Sequence, residues 1–383
     1  MSSLKLLYIL NTAKRVNNFS TSAMLAAKEL GIEFHIAGNW GYASDIERTA
    51  DEEKHGIRIH QIDFIRAPYH PGNIKAYKQL NALVKNEKFD IIHCNTPIGG
   101  LLGRLVGKKC RVPRVIYEAH GFHFYKGAPI LNRAIYYPIE KWLAGYTDVL
   151  LTINSEDREA SDRLKLRKGG ERYYIPGVGI NLDEFRSDEE TRASKRKELS
   201  IADTDVMLIS LGELSLRKNY ATLVESVALM ANKNTHLFVC GEGEEKAALE
   251  AQAKSLGASE RVHFLGYRTD VEDLLQAADI FVLSSKQEGL SRSVMEGMAI
   301  GLPCVVSKIR GNVDLIEDGE GGYLCDPTDT KAFAEAIEKV ASDPLLREKM
   351  KEYNLERIKK FSLEASVDAT KKVYEEQIRM LEK

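Results

Sequence analysis

Two carboxylates, Glu288 and Glu296, stand in the run SSKQEGLSRSVMEGMAIGLPCVVS at 284–307. Glu288 follows a strand-like apolar run, and Glu296 falls inside the helix expected after it. Where a strand ends and a helix begins, free N–H groups and the positive end of a helix dipole meet, which suits an anion such as a diphosphate. Gly289 lets the backbone pass close to a ligand there. A carboxylate at each end of the turn can accept hydrogen bonds from sugar hydroxyls. A second reading competes: Ser293 and Glu296 have capping-box spacing, and spacing alone favours a glutamate that serves its own helix terminus. Arg217 and Lys218 follow another apolar run, 205–211. Taken alone, that pair reads as an exposed helix start. His120 ends the run RVIYEA and precedes Gly121. His93, in DIIHC, reads as a core or wall residue, and His123 fits either role.

The elements that must carry these residues are legible in the apolar pattern. LKLLYIL (4–10), EFHIA (33–37), DIIHC (90–94), RVIYEA (114–119) and DVLLTI (148–153) are short apolar runs without strict alternation. That is the signature of parallel strands covered on both faces. Helical stretches at 20–30, 73–87, 98–109 and 130–145 lie between them. The pattern restarts with DVMLISL (205–211), THLFVC (235–240), VHF (262–264), DIFVLS (279–284) and PCVVS (303–307), separated by helices near 218–231, 244–256 and 292–299. Repeated βαβ order predicts two doubly wound α/β domains with a ligand cleft between them. The interval 181–200 is polar and lacks apolar periodicity, and its start reads as the linker. From Asp329 onward the chain reads as helical, with Pro344 dividing the first helix from the rest.

Composition narrows the function. The 383 residues carry 54 Lys+Arg and 56 Asp+Glu, a net charge of −2, which argues against coating nucleic acid by bulk electrostatics. That average hides 26 basic and 20 acidic residues over 1–185 against 28 and 36 over 186–383. Within 101–150 the count is 8 basic to 3 acidic, led by Arg104, Lys108, Lys109, Arg111 and Arg114. Such a run is either a solvated helix end or a face for an anionic surface. Five cysteines without CxxC spacing fit a reduced cytosolic protein, with neither a disulfide nor a zinc framework. No run is long enough for a signal sequence or a membrane span.

With Gly-Leu-Pro at 301–303, the pair Glu288 and Glu296 resembles the E-x7-E signature of retaining, nucleotide-sugar-dependent family 4 glycosyltransferases. The resemblance extends over nearly the whole chain, through HGF (120–122), PGVGIN (176–181), GELSLRKN (212–219), GEG (241–243) and RGNVDLIEDGEGGYL (310–324). It is strongest toward bacterial enzymes that build capsule, exopolysaccharide or lipid-linked glycans. It implies a GT-B fold, two Rossmann-like domains facing a central cleft. An acceptor-binding domain would span 1–180 with the C-terminal helix at about 365–383, and a nucleotide-sugar domain would span 186–364. It places Glu288 against the donor sugar, Glu296 on the ribose, and the backbone of Gly289, Leu290 and Ser291 on diphosphate and sugar. Gly212 and Gly241 fall at donor-side turns, Arg217 and Lys218 beside the diphosphate, and His120 beside the donor sugar. It further implies a UDP-sugar donor, no metal or other cofactor, a glycan or polyprenyl-diphosphate-linked acceptor, and work in the cytoplasm or on the inner face of the plasma membrane.

Two positions depart from the family pattern. The turn after the first strand reads NTAKRVNNF (11–19) and lacks the glycine many relatives have; Asn11, Thr12 or Lys14 would replace that contact, or the loop would serve the acceptor. Glu213 stands where relatives often have arginine, which leaves the phosphate charge to Arg217 and Lys218. The stretch 122–142 mixes aromatics with Lys126, Arg133 and Lys141; it reads as a core helix, or as an interfacial helix on an anionic bilayer. Rivals for the whole chain are a same-fold epimerase or phosphorylase and a non-catalytic glycan- or nucleotide-binding subunit. A dinucleotide dehydrogenase is disfavoured because GEGEEK (241–246) lacks the third glycine.

Overall fold

The computed structural model describes residues 3–16, 18–186 and 188–382. Asn17 of the loop 11–19 and Ser187 of the interval 181–200 therefore lie outside the described residues. The chain divides into two compact units, residues 1–179 with 363–383 and residues 180–362.

The first unit holds seven strands: β1 (Lys5–Thr12), β2 (Glu33–Asn39), β3 (Arg58–Gln61), β4 (Ile91–Asn95), β5 (Arg114–Ala119), β6 (Val149–Thr152) and β7 (Glu171–Tyr174). They lie in the order 3-2-1-4-5-6-7, every pair parallel. The second unit has β8 (Val206–Leu211), β9 (Thr235–Cys240), β10 (Val262–Gly266), β11 (Ile280–Leu283), β12 (Cys304–Ser307) and β13 (Gly322–Cys325), in the order 10-9-8-11-12-13, again all parallel. Each sheet is therefore doubly wound, with its order reversing between the first and fourth strands of its unit. Ligands bind outside the carboxyl ends of strands at such a switch point.

Central strands follow from their apolar runs. All six residues of β8 and all five of β4 are buried, as both-face coverage requires. Helix Pro97–Cys110 nests on β4 and β5 through glycines. A methyl at Gly100 would lie 2.4 Å from the Tyr117 ring, and one at Gly103 2.7 Å from Cys94 Cβ. Edge strands β3 (RIHQ), β7 (ERYY) and β13 (GYLC) lack an apolar run, because an edge needs only one covered side.

The polar interval after the boundary contains a helix, Glu189–Glu198, capped by Asp188. It docks through arginines rather than an apolar stripe, which is why periodicity does not reveal it. Arg196, 3 % exposed, donates to the carbonyls of Ala277, Ala202 and Asp205. Arg192 donates to those of Gln276, Ala277 and Ala278 and pairs with Asp279 at 2.6 Å. These cations meet the carbonyl end of helix Val271–Ala277, where the dipole favours them.

The last helix, Leu363–Leu381, packs against helix Asn18–Glu29 in the first unit. Ser366 Oγ donates to Gly177 O at 2.7 Å, and Lys371 pairs with Glu29 at 2.6 Å. The five cysteines are free thiols. No helix among the described residues is long and apolar enough to cross a membrane.

Candidate functional site

In the second unit the candidate residues gather at the carboxyl ends of β8, β9 and β11. The loop after β8 is laced to the loop after β11: Lys286 N donates to Arg217 O at 2.9 Å, Asn219 Nδ2 to Ser284 O at 3.0 Å, and Ser284 Oγ back to Asn219 O at 2.7 Å. Asn219 takes a left-handed conformation (φ 56°) to close this turn. The lacing brings Lys218 Nζ to 2.8 Å and Arg217 Nη1 to 3.3 Å from the same oxygen, Glu288 Oε1. Lys218 is only 8 % exposed, whereas Arg217 remains half-exposed. A buried lysine persists because its charge is paired.

Gly212 and Gly241 shape the floor beside this cluster. Gly241 has φ 147°, and a methyl there would stand 2.0 Å from Gly212 O; at Gly212 (φ 148°) it would stand 3.0 Å from Lys218 Cε. Both are thus required by backbone approach and by the room Lys218 needs. Gly289 and the half-buried Leu290 are backed by Gly311, where a methyl would meet Gly289 O at 2.4 Å. Arg310, 6 % exposed, donates from Nε to Glu288 O at 3.1 Å. Sequence reading passed Arg310 over within a longer motif; its burial beside the turn depends on β12 and β11 being neighbours.

Helix Arg292–Ala299 begins at Ser291, whose side chain makes no capping bond to the helix and faces Ser293 Oγ at 3.2 Å. The capping box weighed for Ser293 and Glu296 does not form, because Ser293 is already inside the helix. Glu296 instead accepts from Arg292 Nε at 2.8 Å, one turn away. Burial pushes its carboxyl above the usual range, against the lowering pull of Arg292.

In the first unit, His120 follows β5, half-buried, with its Nε2 3.4 Å from Glu118 Oε1 and its ring edge-on to Phe19 at 5.2 Å. Burial pushes the His120 imidazole down, against the pull of Glu118. His93 is fully buried and paired with Glu118 at 3.1 Å, while the His123 ring packs tilted against Tyr136, centroids 4.5 Å apart. The turn after β1 is pinned by Arg15, which donates from Nη2 to buried Asp51 at 2.6 Å, with Val16 N donating to the same carboxylate at 2.9 Å. Asn11 Oδ1 is buried without a partner among the described residues, whereas Thr12 and Lys14 are exposed.

The basic run at 104–114 is corrected in part. Arg104 is 1 % exposed, held by Glu140 at 2.7 and 3.0 Å and stacked 3.7 Å over Tyr117. Arg114 lies 3.7 Å from Asp148. Lys108, Lys109 and Arg111 remain exposed.

Comparison with known proteins follows the same lines. The family model described as glycosyl transferases group 1 matches residues 191–357, and the one described as glycosyl transferase 4-like matches residues 21–154. The chain is 37 % identical over 352 residues to a Bacillus subtilis protein named "Putative glycosyltransferase EpsD", covering 91 % of this chain and 90 % of that one. It is 28 % identical over 307 residues to the Escherichia coli UDP-Gal:alpha-D-GlcNAc-diphosphoundecaprenol alpha-1,3-galactosyltransferase, covering 79 % of each. Among solved structures, Anabaena HepE in complex with UDP-glucose superposes with a TM-score of 0.79 at 18 % identity, over 97 % of this chain and all of that one, which shows the GT-B fold.

Proposed function

Because this chain belongs to the group 1, family 4-like glycosyltransferases, we propose that it moves a hexosyl or N-acetylhexosaminyl group from a UDP-sugar, with retention, onto a glycan carried by a polyprenyl diphosphate. The product would enter a cell-surface polysaccharide or related glycan. One observation carries the reading: the two cations and the carboxylate of Arg217, Lys218 and Glu288 converge within 3.3 Å, beside a helix N-terminus that its own cap side chain leaves open. In the E. coli relative the acceptor is, by name, a sugar on diphosphoundecaprenol, which supports the lipid-linked acceptor.

In this reading the 180–362 unit binds the donor and the other unit the acceptor. The diphosphate oxygens meet the backbone N–H groups around Gly289–Ser291, and the leaving phosphate is neutralised by Lys218 and Arg217. Glu288 accepts from the sugar hydroxyls, and Glu296 holds the ribose. The family resemblance assigns His120 to the donor sugar. The bond from C1 to the phosphate oxygen breaks as the acceptor oxygen bonds C1 on the same face, and the leaving phosphate takes the acceptor's proton. The protein's contribution is placement and fixed charge, with no enzymic nucleophile and no metal.

A UDP-sugar panel with a polyprenyl-diphosphate acceptor tests this directly. Acceptor-dependent UDP release is expected, undiminished by EDTA and reduced at least a hundredfold in Glu288→Gln, the scale of losing one preorganised transition-state partner. A folded protein that neither binds nor cleaves any nucleotide sugar removes the donor assignment. Full activity in Glu288→Gln removes the site.

We extend the proposal to the bilayer that would carry such an acceptor, at its cytoplasmic side. Helix Ile130–Ala144 exposes Ile130, Leu131 and Trp142 together with Arg133 and Lys141, a mixture suited to an anionic interface. Charge reversal at Lys108, Lys109 and Arg111 is expected to cut co-sedimentation with phosphatidylglycerol vesicles by about tenfold or more, since each basic residue near such a surface contributes about 1 kcal/mol. Equal sedimentation of both proteins would remove the membrane proposal.

A further inference from the structure

The turn after β11 is held from two sides. From the β8 side, Arg217 O accepts from Lys286 N at 2.9 Å, and Arg217 Nη1 donates to Gln287 O at 3.1 Å. From the β12 side, Arg310 Nε donates to Glu288 O at 3.1 Å, and a methyl on Gly311 would stand 2.4 Å from Gly289 O. The donor chemistry above uses Arg217 and gives Arg310 no role. Yet Arg310 is buried, and burying a guanidinium carries a desolvation cost that a small residue at this position would avoid.

The segment that carries Arg310 is itself anchored to β11. Asn312, fully buried, donates from Nδ2 to Ser307 O at 3.0 Å, and Ser307 Oγ donates to Leu283 O at 3.3 Å. Gly311 N donates to Asp314 Oδ2 at 3.2 Å. The strand that issues the turn therefore also fixes the base from which Arg310 reaches it, through the pairing of Leu283 with Val306. The consequence lies on the far side of the peptide. The Glu288–Gly289 peptide is trans, so its C=O and its N–H point in opposite directions. With the carbonyl drawn to Arg310, the Gly289 N–H is sent away from it.

We propose that Arg310 is a positioning residue: by holding the Glu288 carbonyl it aims the Gly289 N–H at the β-phosphate of the donor. The proposal rests on the reading that this turn meets a diphosphate. Arg310 acts through the turn and not on the ligand, and an arginine suits the task because its planar fork loses less freedom per bond than a lysine stem. Gly311 serves the same end, since its missing side chain leaves room for Gly289 O, and its φ of 81° disfavours any other residue.

The test is calorimetric titration of the full chain with UDP and with UMP, which lacks the β-phosphate. The wild type is expected to prefer UDP. Arg310→Gln should narrow that preference by about tenfold, the scale of one hydrogen bond to a charged group, and leave UMP within about threefold. Arg310→Lys, which keeps a donor, should recover part of the loss. Gly311→Ala displaces the same turn while the guanidinium stays, and should narrow the preference by a similar factor. A preference kept in either Arg310→Gln or Gly311→Ala overturns the proposal, as does an equal weakening of both nucleotides. If Arg310→Gln does not fold, the wild type decides: the Arg310 Nε–H, identified by the loss of its signal in Arg310→Lys, should exchange slowly without nucleotide, and fast exchange overturns the proposal. A wild type that binds neither nucleotide removes the donor reading and this proposal together, whereas a wild-type preference that both variants keep removes the proposal alone.

Discussion

Lys218→Met is expected to lower kcat/KM by about 10²–10³, with most of the loss in kcat, because the charge it removes matters most when the phosphate leaves. The lysine is suited to that role by its confinement. It is packed against Gly212, paired with Glu288 at 2.8 Å and largely shielded from water, so its field is screened less than that of an exposed cation. Arg217 binds the same carboxylate oxygen from the exposed side and can compensate only in part. Calorimetric scans give a second readout. UDP should raise the melting temperature of the wild type, and that rise should shrink in Lys218→Met. A well-folded variant within about threefold of wild-type turnover would sink the electrostatic role given to this residue.

Glu140→Leu should strongly destabilise the first unit. It strips the bidentate partner from the Arg104 guanidinium, which is buried, stacked on Tyr117 and, among the described residues, otherwise hydrogen-bonded only to Gly100 O at 2.8 Å. Leaving a buried charge uncompensated costs about 3–5 kcal/mol, equivalent to a fall in melting temperature on the order of 10 °C for a unit of this size. Replacing both partners, Arg104→Met with Glu140→Leu, should recover most of that loss, since the pair itself contributes little net stability. Urea unfolding of the two single variants and the double variant measures the coupling. A single variant within about 1 kcal/mol of wild type would show that the pair is solvated.

The two partners of that ion pair also mark where reading a sequence stops. Arg104 sits in a run that counts as basic, and composition makes it part of a surface; only its crossing with the helix that carries Glu140 takes it inside. Glu118 reads as a polar residue in an apolar strand, because its two imidazoles come from β4 and from beyond the end of β5. Helix Glu189–Glu198 escapes periodicity because it docks through Arg192 and Arg196 on carbonyls some eighty residues away. Edge strands β3, β7 and β13 escape because one-sided burial needs no continuous apolar run. The capping-box reading of Glu296 failed by the two residues that separate Ser291 from Ser293.

What the sequence determined by itself is the double α/β repeat and the turn after each central strand. Continuous apolar runs can be buried on both faces only as parallel strands, and such strands end at ligand-ready turns. The positions of Glu288, Lys218 and His120 could be read because they follow the ends of β11, β8 and β5. Which charges pair there, which cation is sealed and which stays open, was decided by tertiary structure alone. A run of residues specifies what can be buried, but a buried charge survives only beside a partner, and these partners are brought from distant parts of the chain by the order of the strands.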